Sequence, residues 1–241
     1  MSEEIIEEQA QEVNEVEDTE FDEEEASKHL QDEEEPQELN EKEGSLADAP
    51  PFKQTDIGLI AGKRGSGKTN LTLYLIDTFV KLGANVIIVD PVHDLRGNLP
   101  QYEDKIVHIP YGNRAMFNKL MYKLIKDNWK GIIIVDEADK FFPNMQKLTD
   151  LENYFIQIGR HHGIGLIAVT RRLAKMHTDL ASQANKLYLF KHWQRADLDY
   201  LKESNLGDYA HLIRPLDKYH FLYLDTDVEY VQTCDPVPVM K

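Results

Sequence analysis

The residues Gly62-Lys63-Arg64-Gly65-Ser66-Gly67-Lys68-Thr69 place a glycine, four residues and then Gly-Lys-Thr between an apolar run, 57–61, and a helical pattern, 70–82. That spacing suits the binding of a phosphate chain. Phosphate oxygens need backbone N–H groups turned inward around them, glycines allow the curvature without a Cβ clash, and the following helix offers its positive N-terminal end. The expected cradle comprises Gly62, Lys63, Arg64, Gly65, Ser66, Gly67, Lys68, Thr69 and Asn70, with Lys68 reaching the β- and γ-phosphates and Thr69 placing its hydroxyl on Mg²⁺.

A second group of reactive residues follows an apolar β-branched run. Gly131 to Val135 reads as a buried strand and ends in Asp136-Glu137. In open α/β sheets, ligand and metal groups lie just past the carboxyl ends of strands. Asp136 there is expected to hold Mg²⁺ through water, and Glu137 to orient and polarise a water attacking the γ-phosphate. The paired acids favour ATP hydrolysis over a switch GTPase or a small-molecule kinase. Asp90, ahead of Pro91, ends another predicted strand, where it either supports the metal's water shell or closes an Asp-Pro turn.

Elements that position these groups alternate along the chain. Strands are predicted over 56–61, 85–89, 105–109, 131–135, 164–169 and 186–190, with a hairpin over 219–233 around Asp225-Thr226-Asp227. Apolar residues at three- and four-residue intervals predict helices over 68–82, 113–126 and 148–158. Strand and helix in alternation imply an α/β fold, a doubly wound and mainly parallel sheet flanked by helices.

Charge divides the chain in two. Residues 1–50 hold 21 of the 43 Asp and Glu and 2 of the 27 Lys and Arg, so 51–241 carries 22 acidic against 25 basic residues. The first part, with Phe21 its single aromatic, has the composition of a solvated, disordered acidic segment; a short helix over 3–14 is opposed by like charges. The remainder reads as one domain, 51–241, entered near Ala49-Pro50-Pro51. Its slightly cationic balance keeps nucleic acid among the possible partners despite the overall net charge of −16. Apolar runs are too short to cross a bilayer, no signal-peptide pattern opens the chain, and Cys234 stands alone, so a soluble intracellular protein without a disulfide framework is expected.

Three arginines flank the predicted strand 164–169. Arg160 precedes it in Gly159-Arg160-His161-His162-Gly163, and Arg171 and Arg172 follow Thr170. Arg160, distant from its own nucleotide edge, either reaches a neighbouring subunit's nucleotide as an arginine finger or pairs with a surface carboxylate. The adjacent His161 and His162 have poor spacing for chelation and read as interface or solvent residues.

In their order, Gly-Lys-Arg-Gly-Ser-Gly-Lys-Thr, Val-Asp-Pro, Ile-Val-Asp-Glu-Ala-Asp and Gly-Arg-His-His-Gly-Ile-Gly-Leu-Ile-Ala-Val-Thr-Arg-Arg resemble the FtsK/HerA superfamily of DNA-pumping P-loop ATPases, most of all its compact viral genome-packaging members. The likeness covers about 55–224. It implies a RecA-like fold, ATP and Mg²⁺ as cofactors, assembly into a homo-oligomeric ring (pentamer or hexamer) and a double-stranded DNA substrate. It also implies loading of a viral genome into a preformed capsid, with a capsid vertex or portal as partner, in the host cytoplasm or on the virion. Arg160 matches the family's trans-acting arginine. Many members place a polar Gln or Asn after the fourth core strand to sense the γ-phosphate; here either Arg171 does so by charge or Thr170 takes the duty. Translocation in plasmid transfer or repair, and a nucleotide-dependent assembly scaffold that moves no DNA, remain as alternatives. Lys140, Lys147, Arg171, Arg172 and Lys175 are the candidates for gripping DNA phosphates, set against ordinary solvated charges. Phe141-Phe142 reads as a packing plug or a subunit contact.

Overall fold

The computed structural model describes residues 42–92, 95, 100–102, 104–110, 112–191, 194–203 and 209–240. The acidic stretch 1–41, its short helix over 3–14, and His93 and Asp94 lie outside the described residues. In chain order the elements are β1 (Lys42–Gly44), β2 (Ile57–Ala61), α1 (Lys68–Lys81), β3 (Val86–Val89), β4 (Ile106–Ile109), α2 (Arg114–Lys126), β5 (Gly131–Val135), α3 (Asp150–Ile158), β6 (Ile164–Thr170), α4 (Thr178–Gln183), β7 (Lys186–Phe190), α5 (Arg195–Glu203), α6 (Ala210–Ile213), β8 (Phe221–Asp225) and β9 (Tyr230–Cys234).

These strands form one nine-stranded sheet in the order β1-β9-β8-β7-β2-β6-β5-β3-β4. Pairing is parallel from β7 through β2, β6, β5 and β3 to β4, and antiparallel in the β7-β8 and β8-β9 pairs. The expected α/β architecture, mainly parallel sheet, flanking helices and C-terminal hairpin, is therefore present. Continuous apolar runs suit strands covered on both faces, and alternate side chains divide into two cores. On one face Leu59, Ile133, Val135 and Leu166 pack with Phe117, Met121 and Phe155 of α2 and α3. On the other Ile60, Ile132, Ile134 and Ile167 pack with Leu71, Ile76 and Phe79 of α1.

Local chemistry sets the helix boundaries. Helix α2 starts where the Asn113 side chain accepts from the Met116 amide at 3.0 Å. The helix predicted from 148 begins instead at Asp150, because Thr149 and Glu152 form a reciprocal capping box. Phe141 and Phe142 are both buried, packing on Phe117 at centroid distances of 5.1 and 5.4 Å. The segment is irregular rather than helical, so two adjacent rings reach one core, and the packing role is the one observed.

Of residues 42–50, assigned from composition to the acidic segment, 42–44 form an edge strand of the sheet and the rest packs beside it. Strand β1 pairs in parallel with β9, the Gln232 side-chain amide donates to Ser45 O at 2.9 Å, and the Tyr223 hydroxyl donates to Pro50 O at 2.8 Å. A charge count averaged over fifty residues conceals a short stretch held through its backbone, by strand pairing at 42–44 and by side chains of the sheet at Ser45 and Pro50, contacts that are blind to side-chain charge.

Candidate nucleotide-binding site

The glycine loop turns between the end of β2 and the start of α1, and its geometry needs its glycines. A Cβ on Gly62 would lie 2.5 Å from Phe190 Cβ and 2.8 Å from Ser66 Oγ, and Gly67 has φ 113° in the left-handed region. Gly67 caps α1 without any side-chain hydrogen bond, which leaves the first-turn N–H groups to whatever enters the loop. Ser66 Oγ is buried without a hydrogen-bond partner. A buried hydroxyl left so costs about 1–3 kcal/mol, and a phosphate oxygen in the loop would satisfy it. The donor set and the glycine cradle thus fit a polyphosphate.

Lys68 folds back over this loop, its ammonium donating to Gly62 O at 2.6 Å and Lys63 O at 2.9 Å. Burial, with the Arg171 guanidinium adding to it and Asp136 opposing, pushes the Lys68 pKa down to about 8. The charged lysine is the disfavoured form in the folded chain, so stability rises with pH between about 8 and the ordinary 10.5. An anion in the loop reverses that preference. Calorimetry of tripolyphosphate binding just above pH 8, in buffers of different ionisation enthalpy, is expected to show uptake of about half a proton by Lys68. Equal apparent heats in every buffer would contradict the placement of Lys68.

Strand β6 lies between β2 and β5, so its C-terminal residues stand between the glycine loop and the acids that end β5. Asp136 follows β5 and Lys68 follows the loop after β2; both strands run parallel to β6, which puts the two groups on one edge, where Asp136 favours the charged form of Lys68. Glu137 adopts φ 47°, ψ 46°, a left-handed conformation. One Glu137 oxygen accepts from Arg171 Nη2 at 2.8 Å and the other meets the Lys140 ammonium. Thr170 is buried, and its hydroxyl donates to Asp139 at 3.0 Å while accepting from the Arg172 amide at 3.1 Å. With Thr170 so engaged, Arg171, its side chain 43% exposed, is the more accessible of the two.

Other expected residues stand elsewhere. The Asn70 amide is held by the C-terminal segment, donating to Val237 O at 3.2 Å and Pro238 O at 3.0 Å and accepting from the Met240 amide at 2.9 Å. Lys63 and Arg64 are exposed on the rim, as is Thr69. Asp90 is fully buried and accepts from the Leu95 amide at 2.9 Å, with His108 Nε2 3.2 Å away, which is the structural side of its two readings. Arg160 is exposed on a 3₁₀ turn ahead of β6, at the opposite end of a seven-residue strand from Thr170 and hence roughly 20 Å along it. His162 Nε2 lies 2.9 Å from the Tyr154 hydroxyl. Arg172 is bound to Asp197 at 3.0 Å, which also accepts from Ala174 N, so its guanidinium fixes the loop after β6. Lys147 and Lys175 are exposed.

Sequence reasoning passed over Phe190, Asp139 and Tyr219. Phe190 ends β7 against Gly62 and Gly67, Asp139 holds Thr170, and Tyr219 reaches the loop from just before β8. Only Asp139 carried a legible signal, as the third acid of Asp-Glu-Ala-Asp.

Comparison with known proteins bears on the fold. No curated protein matches the chain. The genome packaging NTPase B204 from Sulfolobus turreted icosahedral virus 2, solved with AMP, superposes with a TM-score of 0.68 at 23% identity, covering 78% of this chain and 100% of that one. The conjugation coupling protein TcpA of pCW3 gives 0.54 at 16% identity, over 75% of this chain and 59% of its own. ATPases 2 and 3 of EssC from Geobacillus thermodenitrificans give 0.53 at 15%, over 77% and 40%. At such identities the likeness establishes the shared P-loop NTPase fold, as the sequence resemblance implied. Among the described residues no helix is long and apolar enough to cross a membrane. Residues 56–203, more than half of the chain, match the family model described as zonular occludens toxin (Zot), and the chain belongs to that family.

Proposed function

We propose that this chain is an ATP-driven translocase of double-stranded DNA that loads a viral genome into a preformed capsid as a homo-oligomeric ring. The observation that carries the reading is the convergence of Lys68, Asp136, Glu137 and Arg171 on one edge of the sheet around a loop with an orphaned buried hydroxyl. Loop amides and Lys68 would hold the triphosphate, and Thr69 with Asp136 would hold Mg²⁺. Bound MgATP supplies the phosphoanhydride to be cleaved and the divalent charge that offsets its oxygens. Glu137 takes a proton from water, Arg171 meets charge at the terminal phosphate, and Arg160, exposed and far from its own loop, serves a neighbouring subunit.

Duplex DNA as substrate is supported by the slightly cationic balance of 51–241 and by exposed Lys147 and Lys175. Packaging, rather than plasmid transfer, is supported by full-length coverage of a virus's genome packaging NTPase. The site of action that follows is the host cytoplasm or the virion vertex. ATP turnover measured with and without linear duplex, at low and high salt, tests the proposal. Stimulation that fades as salt rises is expected, because phosphate contacts release counterions. Turnover indifferent to duplex would favour the nucleotide-dependent assembly scaffold instead.

A further inference from the structure

The antiparallel turn of the sheet brings a C-terminal aromatic to the phosphate loop. Because β8 runs opposite to β7, with Phe221 paired to Phe190, the residues just before β8 stand at the same edge as the glycine loop. A Cβ on Gly67 would lie 3.4 Å from Tyr219 Cδ1 and 3.2 Å from Phe190 Cε1. Phe190 is buried there, but Tyr219 is 47% exposed, so the mouth of the cradle carries an open phenol ring.

The ring has one cationic neighbour, and the chain on either side of it is anchored. The Lys218 ammonium sits 4.7 Å over its centroid. Its neighbour His220 lies 3.6 Å from the Asp235 carboxylate, which ties the segment to the start of the C-terminal stretch, and that stretch ends on the Asn70 amide in the first turn of α1. Tyr219 itself is held at φ 72°, a left-handed conformation costly to a residue with a bulky side chain. Tyr219 and the C-terminal residues 237–240 thus both stand beside the N-terminus of α1, with the half-exposed tyrosine ring next to a loop glycine.

We propose that Tyr219 is the nucleoside platform of this chain, receiving the base of a nucleotide whose phosphates occupy the glycine loop, with Lys218 backing the ring. The inference rests on the nucleotide-binding reading of the loop and adds the group that separates a nucleotide from a bare polyphosphate. Stacking on an aromatic ring tolerates any base, so the platform contributes affinity.

Calorimetric titration of the full chain with MgATP and with magnesium tripolyphosphate tests it. Tyr219→Ala is expected to weaken MgATP by about tenfold and tripolyphosphate by less than about twofold, while Tyr219→Phe binds both as the parent does. Tyr219→Gly, which relieves the positive φ and keeps the fold secure, is expected to match Tyr219→Ala in binding with no loss of thermal stability. If the parent takes up tripolyphosphate and the Tyr219→Gly chain binds MgATP unchanged, or loses both ligands equally, the platform is overturned while the cradle stands. A parent chain that takes up neither ligand overturns both.

Discussion

Replacing Glu137 with Gln is expected to lower ATP turnover by about 10²- to 10⁴-fold with nucleotide affinity little changed. The substitution preserves shape, and the amide oxygen keeps an acceptor for Arg171, whose Nη2 lies 2.8 Å from the carboxylate. It removes the basicity that proton abstraction from water requires. It also removes the negative charge holding both Arg171 and Lys140. The left-handed backbone at φ 47° is borne by Gln as by Glu, so the loss would be chemical rather than conformational. Lys68→Ala should behave differently, losing nucleotide affinity as well as turnover, since its ammonium lies inside the loop on Gly62 O and Lys63 O. Steady-state hydrolysis paired with equilibrium nucleotide binding separates the two variants. Parental turnover in the Glu137→Gln chain would remove Glu137 from the chemistry and leave the loop as a binding site only.

The largest effect on stability is expected from Arg114→Ala. Arg114 on α2 grips the Glu152 carboxylate of α3 through two hydrogen bonds, Nε to Oε1 at 2.7 Å and Nη2 to Oε2 at 2.6 Å, and the Glu152 side chain has no exposed surface. Its remaining partner is the Thr149 amide at 2.7 Å. Burial by itself would raise the Glu152 pKa, but the guanidinium and the capping amide outweigh it and hold the carboxyl below its ordinary value. Removing Arg114 leaves a buried charge half satisfied, at a cost of about 3–5 kcal/mol. For a chain of this size that lowers the melting temperature by roughly 6–20 °C. Because the folded pKa is depressed, the pair's contribution is complete above the unfolded carboxyl pKa and fades as pH falls through the folded value. Thermal melts across acidic pH are the measurement. The double variant Arg114→Met with Glu152→Leu should regain most of the loss and show a flatter acid limb. A single variant as stable as the parent would show that α2 and α3 are held by their apolar faces alone.

Legibility differed sharply between elements. Strands β2, β5 and β6 were evident as unbroken apolar runs because burial on both faces leaves no polar position to interrupt them. Helix α4 has six residues and α6 four, too few for a helical period to declare itself, and β1 is a three-residue edge strand that follows an acidic tract. Asp90 and Thr170 ended predicted strands, yet local packing turned both inward, to a backbone amide and to Asp139. Sequence position names the edge on which a side chain begins, and neighbouring partners decide what it meets.

The sequence alone determined the glycine cradle, the acids after a buried strand and the alternating α/β order. Each of these rests on local backbone sterics and on the periodicity of burial, which operate over a few residues. Only the tertiary structure decided that β6 stands between the loop and the acids, that Arg171 holds Glu137, and that Tyr219 lies beside Gly67. Those contacts join residues distant in the chain, and they exist because strand order and direction, properties of the assembled sheet, carry them to a common edge.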